Sequence, residues 1–166
     1  MKTLKRKSDI SIKKLIFISA LLFLLFIPYV YFGYLAFFPD LFSIMAAYWI
    51  SADEKKSYSV IFISYAIALL RVIFGGNPLV GTLYIITGFI ASYMPDMFKG
   101  NFPTVVILTA ILTLLSSTII SVNLIIENPK TILLILMKVV SSTLFCIIIF
   151  PFVIEEEKLR KIILIR

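Results

Sequence analysis

The sequence predicts an all-α integral membrane protein with six transmembrane helices, and three observations lead there. Hydrophobic residues make up 61% of the 166-residue chain and charged residues 15%, with a mean hydropathy of +1.07. A soluble domain typically holds about 45–50% and about 25%, and a compact globule of this size lacks the polar surface to cover so much apolar side chain. Long apolar runs recur between short breaks rich in charge, proline or glycine. The basic residues gather in alternate breaks, as they do on the cytoplasmic side of membrane proteins. This composition excludes a soluble enzyme, a disordered chain and a disulfide scaffold. The single cysteine, Cys146, rules out an internal disulfide, and the lack of histidine removes the commonest general base and metal ligand.

Residues 1–14 form a basic arm, 15–153 the transmembrane domain and 154–166 a charged tail. The run Leu15 to Phe38 is too long for a signal peptide and lacks an A-x-A ending, so it is a retained span. Pro28 is expected to kink it, with Tyr29, Tyr31 and Tyr34 as an aromatic belt. Phe38-Pro39-Asp40 turns into Leu41 to Ala52, which is short for a span and can be a half-span; Tyr48 and Trp49 mark its exit at an interface. After the charged loop Asp53 to Lys56, the third span runs from Tyr58 to Phe74 and ends at the breaker Gly75-Gly76-Asn77-Pro78. Leu79 to Met94 is the fourth span, Thr104 to Ile126 the fifth and Thr131 to Val153 the sixth.

Charge position sets the orientation. With the N-terminus in the cytoplasm, thirteen of the sixteen basic residues lie on that side and only Lys130 in an outer loop. Both termini then lie inside, which requires an even number of spans. The net charge of +7 is therefore a topology signal, and no nucleic-acid partner is implied. Leu159, Ile162, Ile163 and Leu164 between the tail's charges fit a short amphipathic helix on the lipid surface.

Within the spans, small and hydroxyl residues fall on stripes. Gly81, Gly88 and Ser92 share one face of span four, and Thr109, Thr113 and Ser116 one face of span five. Two readings stay open: helix packing with hydroxyls bonded to their own i−4 carbonyls, which we prefer, or a polar wall or partner groove. Four charges form a candidate polar cluster in the outer half: Asp40, Arg71, Glu127 and Lys138. An unpaired lysine in lipid costs at least ~2.5 kcal/mol, so Lys138 is expected to pair with Asp40 or Glu127, whereas Arg71 has a stem long enough to reach the outer headgroups. The alternative is an outward site for an anionic ligand or an intramembrane protein contact. No catalytic constellation, phosphate loop, cofactor motif or metal-ligand set is present.

The ordered landmarks resemble those of the bacterial rod shape-determining MreD family over about residues 37 to 161. They are F-P-D-L at Phe38 to Leu41 opening a short span that ends in Tyr48-Trp49, then G-G-N-P-L-V-G at Gly75 to Gly81, then Phe150-Pro151-Phe152 before a basic tail. Two features depart from the pattern. Leu70-Arg71-Val72-Ile73 carries a base where the family commonly has an acid, and the glycine-rich turn is one or two residues longer. The resemblance implies a non-enzymatic scaffold of the cell-elongation machinery in the bacterial inner membrane. Its implied partners are an MreC-type bitopic protein and the peptidoglycan synthases, and a homo-oligomer is possible. It also implies a fold similar to the substrate-binding subunits of energy-coupling-factor vitamin transporters, and such a subunit is the alternative function. Against it, the first span has only Ala20 and Ala36 where those subunits show an Ala-x-x-x-Ala stripe, and the outer connections are short.

Overall fold

The computed structural model describes residues 10–24, 38–52, 58–74, 76–94, 97–98 and 100–154. Among them it is all-helical: α1 Ile12–Leu24, α2 Leu41–Ala52, α3 Tyr58–Ile73, α4 Pro78–Tyr93, α5 Phe102–Glu127 and α6 Thr131–Val153. The Pro28 kink, the tyrosines at 29, 31 and 34, the 53–56 loop, most of the basic arm and the tail's amphipathic pattern lie outside the described residues.

Helix starts follow local chemistry. Asn77 accepts from Leu79 N at 2.9 Å with Pro78 opening α4, and Asn101 accepts from Thr104 N at 3.1 Å with Pro103 in the first turn of α5. Each satisfies an amide that has no partner in its own helix, and proline there removes one such amide altogether. Asn128 closes α5, and its side chain accepts from Lys130 N at 3.1 Å in the turn to α6. Pro151 lies in the last turn of α6, where losing one hydrogen bond interrupts little remaining helix.

Among the described residues only α5 and α6, with 26 and 23 residues, are long and apolar enough to cross a membrane. The expectation of six spans is corrected: α3 and α4, with 16 residues each, fall short of that length, and α2 has the 12 residues expected of a half-span, about 18 Å. It is the centre of the fold. It packs against all five other helices, and every residue but Trp49 is buried. Tyr48 and Trp49, expected to mark an interface, both bond within the bundle. Tyr48 is buried and donates to the Cys146 carbonyl at 2.8 Å, and Trp49 donates its ring N–H to Ser19 Oγ on α1 at 2.9 Å. Each amphipathic ring has found its polar partner inside the bundle, so neither needs the headgroup region.

The surrounding helices turn apolar faces outward. Ile132, Leu136, Val140, Leu144 and Ile148 of α6 are all exposed, and only 22% of that helix's apolar window is buried. The first and last described residues meet at one end of the bundle. Ile10 and Ile154 pair as an antiparallel bridge, Ser11 N donates to Val153 O at 2.9 Å, and Lys14 Nζ donates to the Ile154 carbonyl at 3.1 Å.

Candidate functional site

The short central helix begins deep inside the bundle, and its first residues carry the polar chemistry. Ser116 of α5 and Ser142 of α6 each lie eleven residues from the α5–α6 turn, the former before Glu127 and the latter after Thr131. At 1.5 Å per residue that places both about 16 Å below the turn. Both reach the same residue: Ser116 Oγ donates to Asp40 Oδ2 at 2.9 Å, and Asp40 N donates to Ser142 Oγ at 2.8 Å. Asp40 and the start of α2 are thus held far below the helix ends, and the 12 residues of α2 cover only the remaining depth.

Four donors converge on the Asp40 carboxylate, which is 1% exposed. Ser43 N and Arg71 Nη1 approach Oδ1 at 3.4 and 3.5 Å, and Ser43 Oγ and Ser116 Oγ approach Oδ2, each at 2.9 Å. Asp40 caps the start of α2: its carboxylate accepts from both the amide and the hydroxyl of Ser43, so one orphan amide of the first turn is satisfied, while Asp40's own N–H goes to Ser142. Proton directions follow. Ser43 gives its one hydroxyl proton to Asp40, so in the 3.1 Å contact with Tyr84 of α4 the tyrosine is the donor. Ser116 has two acceptors for its single proton, Asp40 Oδ2 at 2.9 Å and its own Thr113 carbonyl at 3.1 Å; the charged acceptor is the stronger.

Arg71 is corrected from the sequence expectation. It does not extend to headgroups; its guanidinium is buried, pairs with Asp40 and lies 4.9 Å from the centroid of the Phe42 ring. The reason is local. Gly76 folds back over the Arg71 stem, its N–H bonding the Arg71 carbonyl at 2.8 Å, and a Cβ at 76 would lie 2.8 Å from Arg71 Cγ and 2.9 Å from its Cδ. The glycine is needed for this close approach. Gly76→Ala is expected to displace Arg71 and cost about 1–3 kcal/mol of stability by overpacking; thermal unfolding in detergent checks it, and an unchanged melting curve would refute the role.

Lys138, half-buried on α6, acts on Asp40 electrostatically, and its carbonyl accepts from Ser142 Oγ at 2.8 Å. Glu127 does not join the cluster. It is exposed at the end of α5, about 16 Å above Ser116, so the proposed pairing of Lys138 with Glu127 gives way to Asp40.

The small-residue stripes divide by role. Gly81 and Gly88 are buried against α3, facing Ala68 and Ser64 respectively, while Ser92 bonds the Phe89 carbonyl of its own helix. Thr109 donates to Cys146 Sγ at 3.4 Å, Ser116 to Asp40, and Thr113 Oγ1 is buried without a hydrogen-bond partner. The face of α5 is therefore a polar seam against α2 and α6, only partly the self-bonded pattern expected. Sequence reasoning missed Ser43, Tyr84 and Ser142. Each carries a signal: Ser43 stands three residues after Asp40, Ser142 four after Lys138, and Tyr84 between Gly81 and Gly88 on their stripe.

The arrangement ties helices together by charge and hydroxyl bonding. The carboxylate is engaged by four donors, and among the described residues no three His, Cys, Asp or Glu side chains gather as a metal site would need. No family model matches the chain, and no curated protein or solved structure shows significant similarity to it.

Proposed function

We propose that the chain is a polytopic membrane protein of the non-enzymatic, scaffold class, with its apolar helix faces in lipid and both termini on the cytoplasmic side. Its polarity supports this reading: Phe62, Ile86 and Leu133 are exposed, whereas Asp40, Arg71, Ser116 and Ser142 are buried. Water would favour the reverse, and lipid favours this arrangement. The meeting of Ile10 with Ile154 supports an even number of crossings, in keeping with thirteen basic residues on one side against one.

Within that class, we read the chain as an MreD-like scaffold of the cell-elongation machinery in the bacterial inner membrane. It would contact an MreC-type partner and wall synthases through its outer helix faces and loops. The single observation that carries this is the ordered set of Phe38-Pro39-Asp40-Leu41, Tyr48-Trp49, Gly75 to Gly81 and Phe150-Pro151-Phe152. The engagement of Asp40 by residues of its own chain favours a structural tie over a ligand anchor. Depletion in a rod-shaped host is expected to give rounded cells, with the bitopic partner co-purifying with the tagged chain. Retained rod shape would refute the role. Purification with a tightly bound vitamin-like molecule and paired ATPases would replace it with a transporter substrate-binding subunit.

A further inference from the structure

The polar cluster holds more positive charge than negative. Asp40 and Glu127 are the two acids among the described residues, and Glu127 is exposed at the end of α5. Asp40 therefore serves two cations, Arg71 and Lys138, which also repel each other. The count leaves one positive charge in excess within an apolar bundle, and at membrane depth such an excess favours a further acid. Lys138 is the cation on the accessible side: Arg71 is 6% exposed, whereas Lys138 is half-buried on α6.

The lysine belongs to a seam. Leu134, Lys138, Ser141, Phe145 and Ile148 recur along α6 at spacings of four and three, the pattern by which two helices interlock, and one polar residue in such a seam sets its register. The seam is open at both ends, with Leu134 and Ile148 51% and 62% exposed, and its three middle residues are half-buried. Ser141 adds a second polar group. Its neighbours Ser142 and Thr143 bond the carbonyls of Lys138 and Val139 in their own helix at 2.8 and 2.9 Å. Ser141 Oγ instead has no hydrogen-bond partner. A small residue lets a second helix approach closely, and a hydroxyl there can bond across the contact.

Charge decides what fits the seam. Acyl chains would cover Leu134 and Ile148 but bring no acid. Lys138 lies seven residues after Thr131, about 10 Å below the α5–α6 turn, and its attraction to the deeper Asp40 draws it away from headgroup level. A second copy of this chain, meeting face to face, would set Lys138 against Lys138. We propose that this seam of α6 docks a transmembrane helix of another protein that carries an acidic side chain in its outer half, with Lys138 pairing the carboxylate and Ser141 Oγ donating to it. The inference rests on the membrane reading above and not on a role in cell elongation.

The test uses the full chain in phosphatidylcholine vesicles with a single-span leucine–alanine peptide of about 20 residues. The peptide carries one glutamate about 10 Å below its outer end, or glutamine in its place. Association is read by energy transfer between dyes on peptide and chain. The glutamate peptide is expected to bind roughly tenfold tighter than the glutamine peptide, or more. Lys138→Met should abolish the preference, Lys138→Arg should keep it, and Ser141→Ala should weaken it about threefold. Lys130→Gln in the outer turn should leave it unchanged. Lys138→Met should also unfold at or above the wild-type temperature, since Asp40 keeps Arg71. Equal binding of the two peptides, a preference that survives Lys138→Met, or a melting temperature lowered as much by Lys138→Met as by Arg71→Met would each overturn the proposal. So would a Lys138-dependent rise in melting temperature on adding phosphatidylglycerol, which would assign the lysine to lipid headgroups. A chain that inserts and folds but ignores the acid in the peptide overturns the docking site alone; a chain that does not enter the bilayer overturns the membrane reading as well.

Discussion

Asp40→Ala is expected to destabilise the bundle by about 3–5 kcal/mol, the range for removing one partner of a buried ion pair. The loss has three sources in one position. Arg71, 6% exposed, keeps its charge in a low-dielectric interior without its acid; Lys138 loses the same attraction; and α2 loses the carboxylate that caps its first turn. Ser116 can redirect its proton to the Thr113 carbonyl, so its share is small. The charge argument makes a sharper forecast for pairs of substitutions. Asp40→Asn combined with Arg71→Met removes both charges and keeps most of the volume, so the double variant should be more stable than Asp40→Asn alone. Thermal unfolding of the four proteins in one detergent gives the coupling; strictly additive losses would show that the 3.5 Å contact contributes nothing.

Gly88→Ala is the second large effect, expected at about 1–3 kcal/mol, and Gly88→Val more. An added Cβ would lie 2.6 Å from Ser64 Cβ and 3.3 Å from the Val60 carbonyl, and it would also clash with Ser64 Oγ. Ser64 has little room to yield, since its Cβ is fixed by the α3 backbone and its hydroxyl is bonded to Val60 O at 2.8 Å. α3 and α4 form the most extensive helix pair of the described residues, so separating them there disturbs the whole contact. Lipid gives little hydrophobic drive to restore it. Ser64→Gly in the Gly88→Ala background is expected to recover most of the loss, and Ser64→Ala only part of it, because alanine removes the Oγ clash and leaves the Cβ 2.6 Å away. Thermal unfolding of these variants separates the two; equal rescue by both would contradict the geometry.

Much of the helical scaffold was legible residue by residue. α2 and α6 begin and end where their apolar runs do, and α3, α4 and α5 differ from the expected limits by one or two residues. The signals were strong because Asn77-Pro78, Asn101 and Asn128-Pro129 stop or start a helix through their own backbone chemistry, which needs no distant partner. The site was less legible. Asp40, Arg71, Lys138 and Ser116 stood out as charges and hydroxyls in apolar surroundings, but their partners did not. Pairing depends on the depth and rotation of each helix, and a residue's neighbours along the chain specify neither. Glu127 and Asp40 looked equally suited to Lys138 by charge; only the level of Ser116 and Ser142 within the hairpin shows which acid shares their depth.

The sequence by itself determined the helical class, most helix boundaries and the gathering of basic residues in the terminal segments, because each follows from side-chain type and local spacing. Tertiary structure alone decided that the shortest helix occupies the centre, that Arg71 turns inward to Asp40 and that Ile10 meets Ile154. These depend on which surfaces meet. A buried charge must find its counter-charge in three dimensions, where separation along the chain carries no weight: Arg71 lies 31 residues from Asp40, and Ser142 lies 102.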